Sequence, residues 1–110
     1  MNKIKLKIRE LRFKCQRIRY GYSDADLWEL YNFLITMMVK SIKSFRNSHG
    51  GHPAYMTNDE WDKILDKITD DLSAGIGALD ILKSEDFTKN KKKFERGMKL
   101  LTKNFFDLWD

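Results

Sequence analysis

Two histidines, His49 and His52, stand three residues apart in the stretch Asn47-Ser48-His49-Gly50-Gly51-His52-Pro53, and the 110-residue chain has no others. Imidazole nitrogen suits zinc and other transition metals, and a glycine pair lets the backbone turn until both rings converge. Two rings do not complete a tetrahedral site. A carboxylate from the start of the next helix is the expected third ligand: Asp59 first, with Glu60 beside it. The end of the last helix adds Asp107 and Asp110 as further candidates. On this reading zinc is the candidate cofactor and His49, His52 and Asp59 are its ligands. The plainer alternative is a glycine turn whose histidines hydrogen-bond to loop carbonyls.

Other chemistry finds little support. Asp24 and Asp26 are two apart, so they do not share a helical face for acid–base work, and capping is the better reading. Asp66, Asp70 and Asp71 read as a solvated helix face. Cys15 and the serines and threonines lack an evident activating partner, so no nucleophile–histidine–acid arrangement is expected. No glycine-rich phosphate loop occurs. The chain is therefore not expected to be an enzyme.

Charge offers a second kind of site. The formal net charge of +5 conceals a basic arm at residues 1–22 (net +7), an acidic middle at 23–80 (net −5) and a basic segment at 81–110 (net +3). Lys5, Lys7, Arg9, Arg12, Lys14, Arg17 and Arg19 of the arm, with Lys91, Lys92 and Lys93, are candidate contacts to a phosphate backbone or an acidic protein surface. Phe13, Tyr20 and Tyr22 are interleaved with these cations, as in surfaces that stack bases, although a basic amphipathic helix carries such aromatics without binding nucleic acid.

The elements that must position these groups read as helices. Trp61, Ile64, Leu65, Ile68, Leu72 and Ile76 recur at steps of three and four behind a Thr57/Glu60 capping box. A second helix begins at Ser23 and carries a wide apolar stripe from Leu27 to Phe45, which places it at the domain centre. A third runs over residues 88–109. In the arm Ile4, Leu6 and Ile8 alternate as in a strand. The longer stripe Ile4, Ile8, Leu11, Cys15 and Ile18 favours a helix over residues 3–19, ended by Gly21. Trp28, Trp61 and Trp109 lie on or beside these stripes and read as core, with Trp109 placed to be partly exposed. Ala74-Gly75-Ile76-Gly77-Ala78 reads as close helix packing ahead of a hinge.

The expected fold is all-α: a small single-domain helical bundle of about four helices spanning residues 1–110, with residues 1–22 as its basic helical arm. The single cysteine excludes an intrachain disulfide and a cysteine-based zinc cluster, which fits a reducing cytoplasm. The most apolar run, residues 27–39, is interrupted by Glu29, Asn32 and Thr36 and is too short to span a bilayer, so no membrane partner is expected.

Several stretches together resemble a set of small phage and prophage proteins without assigned function. They are Arg19-Tyr20-Gly21-Tyr22-Ser23-Asp24 with Asp26 and Trp28, the glycine loop ending in Pro53, and Glu60-Trp61-Asp62 with Ile64-Leu65. Phe94-Glu95-Arg96-Gly97-Met98 and Phe105-Phe106-Asp107-Leu108-Trp109-Asp110 complete the pattern. Many of those proteins have an aspartate where Tyr31 stands here, and a single-histidine loop where this chain has His49 and His52. The resemblance implies a phage origin and the cytoplasm of a bacterial host. A small phage protein without catalytic residues commonly acts by stoichiometric binding. The leading expectation is therefore an anti-CRISPR type inhibitor of a host defence nuclease, such as a Cas9-type effector with its guide RNA, that blocks target DNA engagement. The competing expectation is a phage nucleic-acid-binding or regulatory protein acting through Lys3 to Arg19 of the arm and Lys89 to Lys93. A structural or assembly role is less favoured, because no long heptad seam is present.

Overall fold

The computed structural model of the protein describes residues 2–78 and 85–109. It is all-α, with no strand among the described residues. Five helices follow in order: α1 (Lys3–Tyr20), α2 (Asp24–Trp28), α3 (Leu30–Ser48), α4 (Asn58–Ser73) and α5 (Glu85–Asn104), then a 3-10 turn at Phe105–Asp107. The chain divides into two compact units, residues 1–33 and 34–110, with the first turn of α3 in the former. Among the described residues no helix is long and apolar enough to cross a membrane.

The N-terminal unit is a long helix with a short return. Asn2 caps α1 by accepting the Lys5 amide at 2.9 Å. Gly21, at φ 83°, ends it in the left-handed conformation and donates its amide to the Arg17 carbonyl. Ser23 then opens α2 with a full capping box. Its hydroxyl accepts the Asp26 amide while Asp26 accepts the Ser23 amide at 2.8 Å. Asp26 also receives Arg17 through two nitrogens at 3.0 and 3.1 Å, and the Asp24 amide donates to Gln16 at 2.8 Å. These bonds clamp α2 to the last turns of α1 and seat the Trp28 ring edge-on against Phe13, centroids 5.7 Å apart.

The expected second helix is thus two helices. Glu29, at φ −130° and ψ 63°, breaks it, and its carbonyl accepts the Asn32 and Phe33 amides that open α3. No glycine or proline announces this break. It follows from the capping bonds that orient α2 on α1, which local periodicity does not encode.

In the C-terminal unit α3, α4 and α5 run antiparallel in succession. Thr57 caps α4 as expected, its hydroxyl accepting the Glu60 amide at 3.2 Å and donating to the Glu60 carboxylate at 3.1 Å. The core forms on α4, where Trp61, Leu65, Ile68 and Leu72 are fully or almost fully buried. Each such side chain contributes about 1.5–3 kcal/mol. α3, expected at the centre, buries Ile35, Val39 and Ile42 but leaves Leu34 and Met37 about half exposed. The reason is positional: α5 packs closely along α4, while α3 meets α4 through Arg46 on Asp66. Ile76, read as part of the α4 stripe, lies past its end and is exposed.

Two glycines permit close approach. A Cβ on Gly97 of α5 would lie 2.7 Å from Asp71 Cβ and 3.0 Å from the Leu72 amide nitrogen of α4. A Cβ on Gly75 would lie 2.9 Å from Ile35 and from Phe94. The Ala74–Ala78 stretch therefore serves packing, and Gly77 (φ 68°) turns the chain after α4.

Candidate functional site

The histidine loop folds on two different anchors. His49 Nδ1 donates to the Gly51 carbonyl, which can only accept, at 2.7 Å, and this leaves Nε2 to share a proton with Asp62 at 2.6 Å. The ring stacks on Phe45 at 5.6 Å, and its side chain is 3% exposed. Arg46, one turn earlier on α3, donates to Asp66 at 3.1 Å and lies 4.0 Å from Asp62. Arg46 on α3 and His49 just past its end thus meet Asp66 and Asp62 of α4, and together they fix where the loop leaves α3.

His52 is exposed, and its Nδ1 donates to the Pro53 carbonyl at 2.9 Å. Gly51, His52, Pro53, Ala54 and Tyr55 line one wall of an open cavity of about 480 Å³, with Asp107 and Trp109 on the other. The Tyr55 hydroxyl donates to Asp107 at 2.6 Å, and that bond raises the phenol above its ordinary pKa. The expected approach of the last helix end to the loop is therefore made, through Asp107. Asp110 lies outside the described residues.

The expected metal set is not gathered. His49 meets Asp62, not Asp59, and both its ring nitrogens face protein oxygens. Asp59, on the first turn of α4, is exposed. Among the described residues no three His, Cys, Asp or Glu side chains converge to hold an ion.

The acids read as a solvated face are divided by the fold. Asp66 answers Arg46, and Asp71 is buried, held by two Arg96 nitrogens at 2.8 and 3.0 Å. The Arg96 hydrogen bonds keep the Asp71 carboxyl below the usual range against the opposing effect of burial. Sequence reasoning missed Asp62, Tyr55 and the Asp71–Arg96 pair. For Asp62 the signal was the Arg46/His49 spacing of three set against the Asp62/Asp66 spacing of four on the next helix.

The cationic candidates are exposed on α1 except Arg9, which is half-buried. Arg17 is held by Asp26, Arg12 lies 3.7 Å from Asp24, and Arg9 lies over the Trp28 ring at 5.0 Å. Trp28, Tyr20 and Tyr22 are themselves exposed, as is Trp109 in the other unit, so Trp61 is the one tryptophan in the core. The apolar stripe of α1 is also exposed, and Phe13 is the residue that α1 buries. Lys91, Lys92 and Lys93 are exposed on α5 in the C-terminal unit.

Compared with known proteins, the chain matches no family model, no curated protein and no solved structure.

Proposed function

We propose that the protein is a phage-encoded, non-enzymatic binding protein that inhibits a host defence nuclease, with a Cas9-type effector and its guide RNA as the partner class. One observation carries the binding part of this reading: the N-terminal unit spends its packing on Phe13, Trp28 and a set of polar clamps, and leaves an 18-residue cationic helix with its apolar stripe exposed. Such a surface fits an anionic macromolecule. The nuclease as target rests on the resemblance to small phage proteins. Inhibition then follows from occupancy, since a bound protein of this size obstructs the approach of target DNA.

The second reading is direct nucleic-acid binding by the same unit, favoured by exposed Tyr20, Tyr22 and Trp28 among the arginines and lysines. Affinity capture from host lysate, with and without nuclease treatment, separates the two. A host effector retained after nuclease treatment, whose DNA cleavage falls at equimolar protein, is the expected result. Nucleic acid alone in the untreated eluate establishes the second reading. Unchanged cleavage by candidate effectors at large molar excess overturns the first.

A further inference from the structure

The exposed stripe of α1 is built as a docking seam. Ile4, Ile8, Leu11, Cys15 and Ile18 follow spacings of four, three, four and three, the repeat of two heptads, and all five are exposed. At 100° per residue they occupy an arc of about 80°, close to the narrow seam of paired helices and narrower than the face of a helix lying in a lipid interface. Its largest residues are isoleucine and leucine, with no tryptophan or phenylalanine to anchor in headgroups. Cations border it at steps of seven: Lys5, Arg12 and Arg19 on one side, Lys7 and Lys14 on the other. Beside it Lys5, Ile8, Arg9 and Arg12 line an open hollow of about 250 Å³, with an isoleucine among three cations.

Charge complementarity selects the occupant. A second copy of α1 would set cations against cations in either orientation, parallel or antiparallel. Within its own unit α2 has five residues, and its acids Asp24 and Asp26 already answer Arg12, Gln16, Arg17 and Ser23, which leaves Lys5, Lys7, Lys14 and Arg19 of the border without an acid of α2. We infer that α1 docks an amphipathic helix of a partner protein, apolar at the heptad seam and bordered by Asp or Glu, which sets a carboxylate against the cations on each side. This deepens the binding reading above and rests on α1 being the face that meets the partner.

A displayed library of 21-residue helical peptides tests it, with leucine and isoleucine fixed at the seam and each flanking position free to be Glu, Gln or Lys. The protein is expected to enrich Glu at the flanks. A selected Glu-flanked peptide, labelled and followed by fluorescence anisotropy, should bind at least ten-fold more weakly to the Ile8→Gln/Leu11→Gln variant. Both residues are more than 60% exposed, so that variant should unfold at the same temperature as the parent. Reversing the border with Lys5→Glu, Lys7→Glu and Lys14→Glu should switch the enrichment from Glu to Lys, a change that a merely structural helix would not produce. Selection indifferent to the flanking charge overturns the inference. So does self-association on sedimentation, or binding to phosphatidylglycerol vesicles with the peptides ignored. Oligonucleotide binding that the Ile8→Gln/Leu11→Gln variant retains, with no peptide enriched, overturns it while leaving the nucleic-acid reading standing. Peptide enrichment without nuclease inhibition overturns the choice of target alone.

Discussion

Replacing Gly97 by alanine sets two opposed effects against each other. In the middle of α5, alanine is favoured over glycine by about 1 kcal/mol on helix propensity. The structure puts the new methyl 2.7 Å from Asp71 Cβ, 3.0 Å from the Leu72 amide nitrogen and 3.2 Å from the Asp71 carbonyl carbon. These neighbours are the α4 backbone and the root of a buried side chain, so the clash is relieved by moving one helix away from the other. Overpacking of this kind costs about 1–3 kcal/mol. Separating the helices also strains the Arg96 grip on Asp71 from the residue next door. Against backbone and the root of a buried side chain the clash falls in the upper part of that range, about 2–3 kcal/mol, so it wins, with a net loss of about 1–2 kcal/mol and a fall in melting temperature of roughly 5–15 °C for a unit of this size. Urea titration and thermal melting followed by circular dichroism measure it. Gly51→Ala is the control: nothing lies within 4 Å of its new methyl, and its stability should stay within about 0.5 kcal/mol of the parent. A Gly97→Ala protein as stable as the parent, or more stable, would refute the close α4–α5 crossing.

Arg17 holds the Asp26 carboxyl at about 2, below its ordinary 3.8, so on acidification the unfolded chain takes up that proton first. The clamp's contribution is complete above about pH 5 and is lost as pH falls toward 2. The guanidinium is half exposed, so solvent screens the pair, and carboxyl NMR should show the Asp26 pKa rising in Arg17→Gln, with the Ser23 hydrogen bonds still acting to lower it. Arg96→Ala should lower the urea midpoint more than Asp71→Asn, because the first strands a buried carboxylate and the second leaves a group able to hydrogen-bond; the reverse order contradicts the geometry. His49→Ala should speed protease cleavage at Gly50-Gly51 at least several-fold while the Trp61 emission stays that of a buried ring. Equimolar zinc should leave the melting temperature unchanged, since His49 has both nitrogens engaged; a rise abolished by His52→Ala would restore the metal reading.

How much of this was legible depends on the range of the interaction. The all-α class, the α1 bounds with Gly21 as stop, the Thr57 cap and the Ser23 cap are set by residues within four positions of one another, and the sequence pattern carries them. The α2–α3 break at Glu29 is not of that kind. It is set by Gln16 and Arg17, which bond Asp24 and Asp26 across eight and nine positions and so hold α2 against α1. The order of burial was misjudged for a related reason. A helical stripe tells which residues share a face, but not how many neighbours cover it. α4 has α5 packed closely along it, whereas the equally regular stripe of α1 meets nothing in its own unit.

That last difference bears on function. A strict stripe has two physical uses: it can be buried within the chain, or held exposed against the cost of hydrating it until a partner arrives. On the docking proposed for it, α1 has the second use, its stripe exposed and bordered by cations. Lysines and arginines at steps of seven border the seam, so a second copy of α1 would bring like charges together. The histidine loop follows the opposite logic. Its residue types can bind metal, and in this structure both nitrogens of His49 meet protein oxygens, one of them Asp62 of α4. In the sequence the loop and the arm stand as separate candidates; the fold encloses His49 and leaves the arm's apolar stripe and cations exposed, which is why the proposed partner is sought at α1.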